Sequence, residues 1–302
     1  MNTQYNWREA AVILNNGLYS ILRTEEMKRI LRSADNHPEL TTMLATDSSM
    51  NESQRREMLS SKSAREVAGT IMNRLTSANS VYLIDNSMKK DELVQIAIAM
   101  KPNGNPSMLH TFMGLKHSNN LSANVLCAMA LSLTADKSIR EYTSNHLDVT
   151  VRAASALNPH QEEENLHNLA QDVPYVIERL ILHPKLKYSD IKNIYIRSNF
   201  NLDMRHIREL IPFNVNSAKH KDILLDKLNS SKQNDRCAIA MSLLASPGML
   251  SSLCDDTHPD VRICAINNPK TRPSDVIRHI NDNNFHVASA ARERIKKDVW
   301  VL

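Results

Sequence analysis

Displaced by 110 residues, the chain lies on itself. Cys127-Ala128-Met129-Ala130-Leu131-Ser132-Leu133 falls on Cys237-Ala238-Ile239-Ala240-Met241-Ser242-Leu243, Val151-Arg152 on Val261-Arg262, and Asn158-Pro159 on Asn268-Pro269. From 127 to 159 no gap is needed and ten of thirty-three positions are identical. A second displacement, of 85, places Pro184-Lys185-Leu186-Lys187-Tyr188-Ser189-Asp190-Ile191 on Pro269-Lys270-Thr271-Arg272-Pro273-Ser274-Asp275-Val276. A chain that repeats itself in this way is built from units that cannot bury an apolar face alone and must stack on their neighbours.

The punctuation of the repeat says what the units are. Pro159, Pro184, Pro247 and Pro269 each follow a small or polar residue at the end of an apolar, Ala-rich run. Proline stops a helix but suits the first turn of the next, where its missing N–H has no partner to lose. Asn158, Ser246 and Asn268 are placed to cap the next helix, and Ser189-Asp190 and Ser274-Asp275 to cap helices from Ile191 and Val276. Only five of 302 residues are Gly. Rossmann sheets, propellers and hairpin-rich folds need Gly at positive φ, so this scarcity argues against them. The fold expected is therefore all-α. The longest apolar stretches, such as 94–100, fall far short of the ~20 residues that span a bilayer. With no signal-peptide pattern at the start, the expectation is a cytoplasmic protein with no membrane partner.

The segment 255–269, Asp-Asp-Thr-His-Pro-Asp-Val-Arg-Ile-Cys-Ala-Ile-Asn-Asn-Pro, resembles the signature of HEAT-like repeats, in particular the leucine-rich-repeat-variant subgroup. That signature is an acidic or Pro loop, Val-Arg, a small-residue helix, then Asn-Pro. Residues 147–159 repeat it, and 284–292 is a worn copy with Ala288 in the arginine position. The resemblance covers about 121–297. It implies a HEAT-like α-solenoid, a right-handed superhelix or arc, in which Arg152 and Arg262 bond to neighbouring loops and Asn158 and Asn268 belong to the Asn-Pro of the signature. Some family members carry an iron–sulfur module, for which the scattered cysteines here offer no support.

Residues 1–120 continue in helical patterns without a good repeat match and are read as degenerate repeats or a cap before the repeat region 121–302. Trp7 to Asn16 reads as a helix ended by Gly17. Thr24 to Leu31, a short helix from Pro38, Ser63 to Leu75 and Asp91 to Met100 come next. Lys101-Pro102-Asn103-Gly104-Asn105-Pro106 is the clearest breaker cluster.

Charge is uneven. The chain carries 37 Lys+Arg against 33 Asp+Glu, a net +4. Residues 179–236 alone hold twelve cations and six acids, so the rest sums to −2. Equivalent loops of stacked units line one edge, where Lys185, Lys187, Lys192, Arg197, Arg205, Arg208, Lys219 and Lys221 are the candidates for holding a polyanion. Tyr188, Tyr195, Phe200 and Phe213 lie among them. The competing reading is a solvated helix face whose lysine and arginine stems cover apolar surface.

Catalytic patterns are missing. There is no Gly-x-x-x-x-Gly-Lys loop, His-Glu-x-x-His or Gly-x-Ser-x-Gly. His160/His167 and His279/His286 are two helical turns apart, too far for one metal. Glu162-Glu163-Glu164 suits a helix first turn, and Asp255, Asp256 and Asp260 suit caps and turns. Cys127, Cys237, Cys254 and Cys264 form no Cys-x-x-Cys and read as small buried apolar residues without disulfides. No catalytic residue, cofactor or metal is assigned. The expected function is a non-catalytic binding or adaptor scaffold whose partner is another protein, with nucleic-acid binding through 179–236 as the alternative. The resemblance adds a third reading, since some HEAT-like proteins are DNA glycosylases. Here Trp7 and Trp300 sit at the termini, far in sequence from the basic segment, and no acid stands out as catalytic. Thirty asparagines point to an AT-rich bacterial or phage genome.

Overall fold

The computed structural model describes residues 18–34, 38–101, 104, 106–114, 121–214, 216 and 221–299. Among them there is no β-strand, and no helix is long and apolar enough to cross a membrane. The α-helices are α1 (Leu18–Ala34), α2 (Pro38–Thr46), α3 (Glu52–Leu59), α4 (Ala64–Met72), α5 (Glu92–Met100), α6 (Pro106–Gly114), α7 (Ala123–Leu131), α8 (Lys137–Ser144), α9 (Val149–Ser155) and α10 (Glu163–Leu169). After them come α11 (Pro174–Leu180), α12 (Tyr188–Phe200), α13 (Arg205–Leu210), α14 (Lys221–Leu228), α15 (Gln233–Met241), α16 (Pro247–Cys254), α17 (Pro259–Asn267), α18 (Pro273–Ile277) and α19 (Phe285–Val299). Two compact units divide the described residues, 19–180 on one side and 181–299 with Leu18 on the other. The helix expected over 7–16, its stop at Gly17, both tryptophans and the residues next to the boundary expected at 120 lie outside the described residues.

Short polar residues start the helices, as their chemistry requires. Asn51 and Gln54 form a reciprocal capping box on α3, and the Asp91, Ser122, Asp136, Asp148 and Ser246 side chains accept N–H groups of the turns they open. Pro247, Pro259 and Pro273 occupy the first helical position. Two expectations shift. Ser189-Asp190 lies inside the first turn of α12 and Ser274-Asp275 inside that of α18, each helix starting earlier than expected. Pro159, Pro184 and Pro269 open turns, one of the two forms, short turn or helix, expected after proline. Helix α1 runs six residues further upstream than the expected start at Thr24.

In the unit of residues 19–180, helices stack in series, α2 on α4, α4 on α5, α5 on α7, α7 on α9 and α9 on α11. Every residue from Leu93 to Met100 in α5 and from Val125 to Leu131 in α7 is buried. A helix apolar on all sides has neighbours on all sides. Alanines 97, 99, 128 and 130 let those neighbours approach closely. At the α2–α4 crossing, a Cβ on Gly69 would stand 2.8 Å from the Leu44 Cβ and 2.9 Å from the Thr41 carbonyl oxygen, so only glycine fits. In the other unit the series is α13, α15, α17, α19, around a second core that includes Leu224, Ile239, Leu250, Val261, Ile266 and Val287.

Candidate interaction surfaces

One corner recurs along the chain. Asn73, Lys101, Ser132, Asn214, Ser242 and Asn268 each end a helix with φ between −59° and −73° and ψ between 121° and 130°. Such a residue turns the chain sharply out of the helix. The carbonyls of Asn73, Lys101, Ser132, Asn158, His183, Ser242 and Asn268 then accept the N–H three residues on, closing a tight turn. The asparagine side chains reach back to the preceding corner. Asn158 Nδ2 donates to the carbonyls of Ala130 (2.7 Å) and Ser132 (2.9 Å), and Asn268 Nδ2 to those of Ala240 (2.8 Å) and Ser242 (3.0 Å). Asn214 does the same to Ile181 and His183, and Asn73 to Leu44 and Asp47. Each of these asparagine oxygens accepts the N–H two residues on. The orphan carbonyls of one helix end are thus satisfied by the next corner. Asn158 and Asn268 therefore act through turns and backward bonds, whereas caps on the next helices were expected.

At Lys101 an ammonium replaces the amide, with Nζ 2.7 Å from the Ile71 carbonyl and 3.3 Å from that of Asn73. Burial holds its pKa down at about 8. The unfolded lysine, near 10.5, binds more protons between these values, so this group makes stability rise with pH from about 8 to 10.5. The Cys127 and Cys254 thiols, pushed up by burial, act in the opposite sense above their ordinary value of 9. Comparison with Lys101→Met isolates the amine, because the thiols are common to both proteins. Urea denaturation at pH 7.5 and pH 10 should show wild type gaining on Lys101→Met by up to about 1.4 kcal/mol per pH unit. A wild-type advantage that does not grow with pH would show that the amine titrates as it does in water.

The opposite ends of the helices are tied by arginines. Arg152 binds Asp172 in a fork (2.6 and 3.0 Å) and donates from Nη1 to the carbonyls of His146 and Leu147. Arg262 grips Asp282 (3.0 and 2.9 Å) and the carbonyls of Asp256 and Thr257. This is the intramolecular bonding to neighbouring loops expected of the two signature arginines. Two further members were not foreseen. Arg236 pairs with Asp256 and the Ser230 carbonyl, and Arg140 with Glu162 and the Ala135 carbonyl. A signal was present, an arginine followed twenty residues later by aspartate at 152/172, 236/256 and 262/282. Burial opposes ionisation of Asp172, Asp256 and Asp282, but the arginine forks and local N–H donors outweigh it and hold all three carboxyls below their ordinary range.

These ties change the reading of the basic segment. Arg208 is buried, with Nη2 2.8 Å from Asp235 and its guanidinium carbon 5.0 Å from the centre of the Tyr195 ring. It is a core ion pair and leaves the proposed polyanion set. Lys227, fully buried, lies 2.8 Å from the same aspartate, and Ser230 donates to it as well. With Arg236 in the ladder, three of the twelve cations serve the interior. Lys192 is exposed and 3.5 Å from Asp222. Lys185, Lys187, Arg197 and Arg205 are exposed. Lys219 and the side chain of Lys221 lie outside the described residues.

Beside these surface cations the structure exposes apolar groups that charge counting did not single out. Phe200 is 88 % exposed, Leu202 79 % and Ile196 47 %. Ile196 and Phe200 are four residues apart on α12 and share a face. In the other unit, an open groove of about 550 Å³ is lined by Ser138, Glu141, Tyr142, Asn145, His146 and Leu147. No group of three or more potential ligands is placed to hold a metal among the described residues. Comparison with protein-family models, curated proteins and solved structures finds no match to this chain.

Proposed function

We propose that this chain is a non-catalytic, HEAT-like α-solenoid that binds another protein, and that the α12 edge is where it does so. The observation that carries the reading is the exposed trio Ile196, Phe200 and Leu202 beside the exposed cations Lys192, Arg197 and Arg205. A contiguous apolar patch with a polar rim marks interaction sites, and aromatic anchors carry most of the energy there. The complementary partner is a segment with apolar side chains flanked by acidic ones. The recurrent corners and the arginine ties support the solenoid, because within each compact unit they bond one helical module to a neighbouring one.

Nucleic-acid binding is the weaker reading, since arginines 208 and 236 and Lys227 are spent on internal carboxylates. Co-purification of the untagged protein from its host with nuclease added should retain a protein partner. The double variant Phe200→Asp, Leu202→Asp should lose it at least tenfold with an unchanged melting temperature. Retention of the same partner by the variant would overturn the assignment of the edge. A complex that instead vanishes with nuclease, and heparin affinity falling steeply with log salt, would establish the nucleic-acid reading.

A further inference from the structure

Cys237 and Cys264 stand on α15 and α17, helices that pack directly on each other. Their thiols neighbour one another, and both are free. They share one apolar cluster with Ile239, Ala240, Val261 and Ala265. The repeat shows that this meeting is a departure from the pattern. Cys127 occupies the position of Cys237 one displacement earlier, but Ala154 stands where Cys264 does, and the Cys127 sulfur faces the Thr150 hydroxyl at 3.8 Å. The two thiols also differ in access. Cys237 is buried, and Cys264 is partly exposed. Cys127 and Cys254 are buried. A partly exposed cysteine with a buried one neighbouring it is the arrangement of an attacking and a resolving cysteine.

We propose that Cys237 and Cys264 are a redox modification site, closing an intrachain disulfide between neighbouring helices when the protein meets a low-molecular-weight disulfide such as oxidised glutathione. Cys264 loses its proton to solvent and its sulfur attacks one sulfur of the oxidant. The oxidant S–S bond breaks, a mixed disulfide forms on Cys264, and the first glutathione leaves as thiolate. Cys237 then loses its proton and attacks the Cys264 sulfur, so the mixed disulfide breaks and the second glutathione leaves. The leaving thiolates take up two protons. The cysteine pair gives up two electrons and two protons in all, and one oxidant disulfide becomes two thiols. The neighbouring Cys264 thiol and burial push the Cys237 thiol up, so the reaction is slow at neutral pH and speeds up as pH rises.

The test is incubation of the full, folded chain with excess oxidised glutathione at pH 8.5, read by intact mass and by non-reducing tryptic mapping. The expected product has lost two hydrogen masses, carries no adduct and links the peptide 263–270 to the peptide 237–262. The second peptide also contains Cys254, so Cys254→Ala is mapped in parallel and should keep the link. Cys237→Ser should stop at a stable glutathione adduct on Cys264. Thermal unfolding of the oxidised wild type should rise by roughly 5–10 °C and return with reductant. Wild type that keeps four free thiols, a lasting adduct on wild-type Cys264, or a link that survives Cys237→Ser would each overturn the proposal.

Discussion

Replacing Asp235 with alanine is expected to lower the free energy of unfolding by about 3–5 kcal/mol, the largest single-residue effect in the unit of residues 181–302. Asp235 is 2 % exposed and receives Lys227 Nζ at 2.8 Å, the Arg208 guanidinium at 2.8 Å and the Ser230 hydroxyl at 2.8 Å. Burial opposes its ionisation. The charge of Lys227 and the converging hydrogen bonds overcome that and keep the carboxyl below its ordinary range. Removing it strips both cations of the carboxylate they bond, and one of them is fully buried. Lys227→Met is the informative contrast. The ammonium is itself held below its usual pKa by burial, against the pull of Asp235. Its loss leaves Asp235 still paired with Arg208, so this variant should cost less than half as much. Urea denaturation of the two variants side by side checks the claim, and equal costs would mean that the aspartate is not the hub of the cluster.

Asn268→Ala is expected to cost about 2–3 kcal/mol, and Asn158→Ala the same. Each truncation strips two donors from carbonyls at the end of the preceding helix, and the acceptor from the turn after it. Both asparagines are buried, so water does not easily replace the lost partners. Asn268→Asp tests the direction of the bonds. It restores the acceptor for the Lys270 N–H but turns a carboxylate toward two carbonyl oxygens, and should be no better than alanine. A loss under about 0.5 kcal/mol in chemical denaturation of the alanine variants would show that the corners hold without their side-chain bonds.

Legibility differs from residue to residue. Arginines 152 and 262 were readable as positions from the repeated Val-Arg, and their bonding to neighbouring loops was what the HEAT-like resemblance implied. The asparagine corner was readable at 158 and 268, where Pro comes next, but its backward bonds were not. Asn73, Lys101, Asn214 and Ser242 fill the same corner with different side chains and neighbours, so residue identity does not reveal them and the first 120 residues look unlike the rest. Arg208 was assigned to a surface stripe because composition counts charge without saying which way a side chain points. The fold brings α12, α13, α14 and α15 together around one aspartate and turns three cations of the basic segment inward. Phe200 and Leu202 read only as aromatic or apolar content, since exposure is set by what fails to pack on them.

The amino-acid order by itself determined that the described residues are helical, where α2, α4, α5 and α16 begin, and that similar segments recur. Those properties arise from bonds within a few residues, from proline, short polar caps and apolar periodicity. Tertiary structure alone decided which charges are buried, which corner residues share a task despite different side chains, and that the thiols of Cys237 and Cys264 are neighbours. These depend on desolvation and contact between segments distant in sequence, quantities that no local pattern encodes.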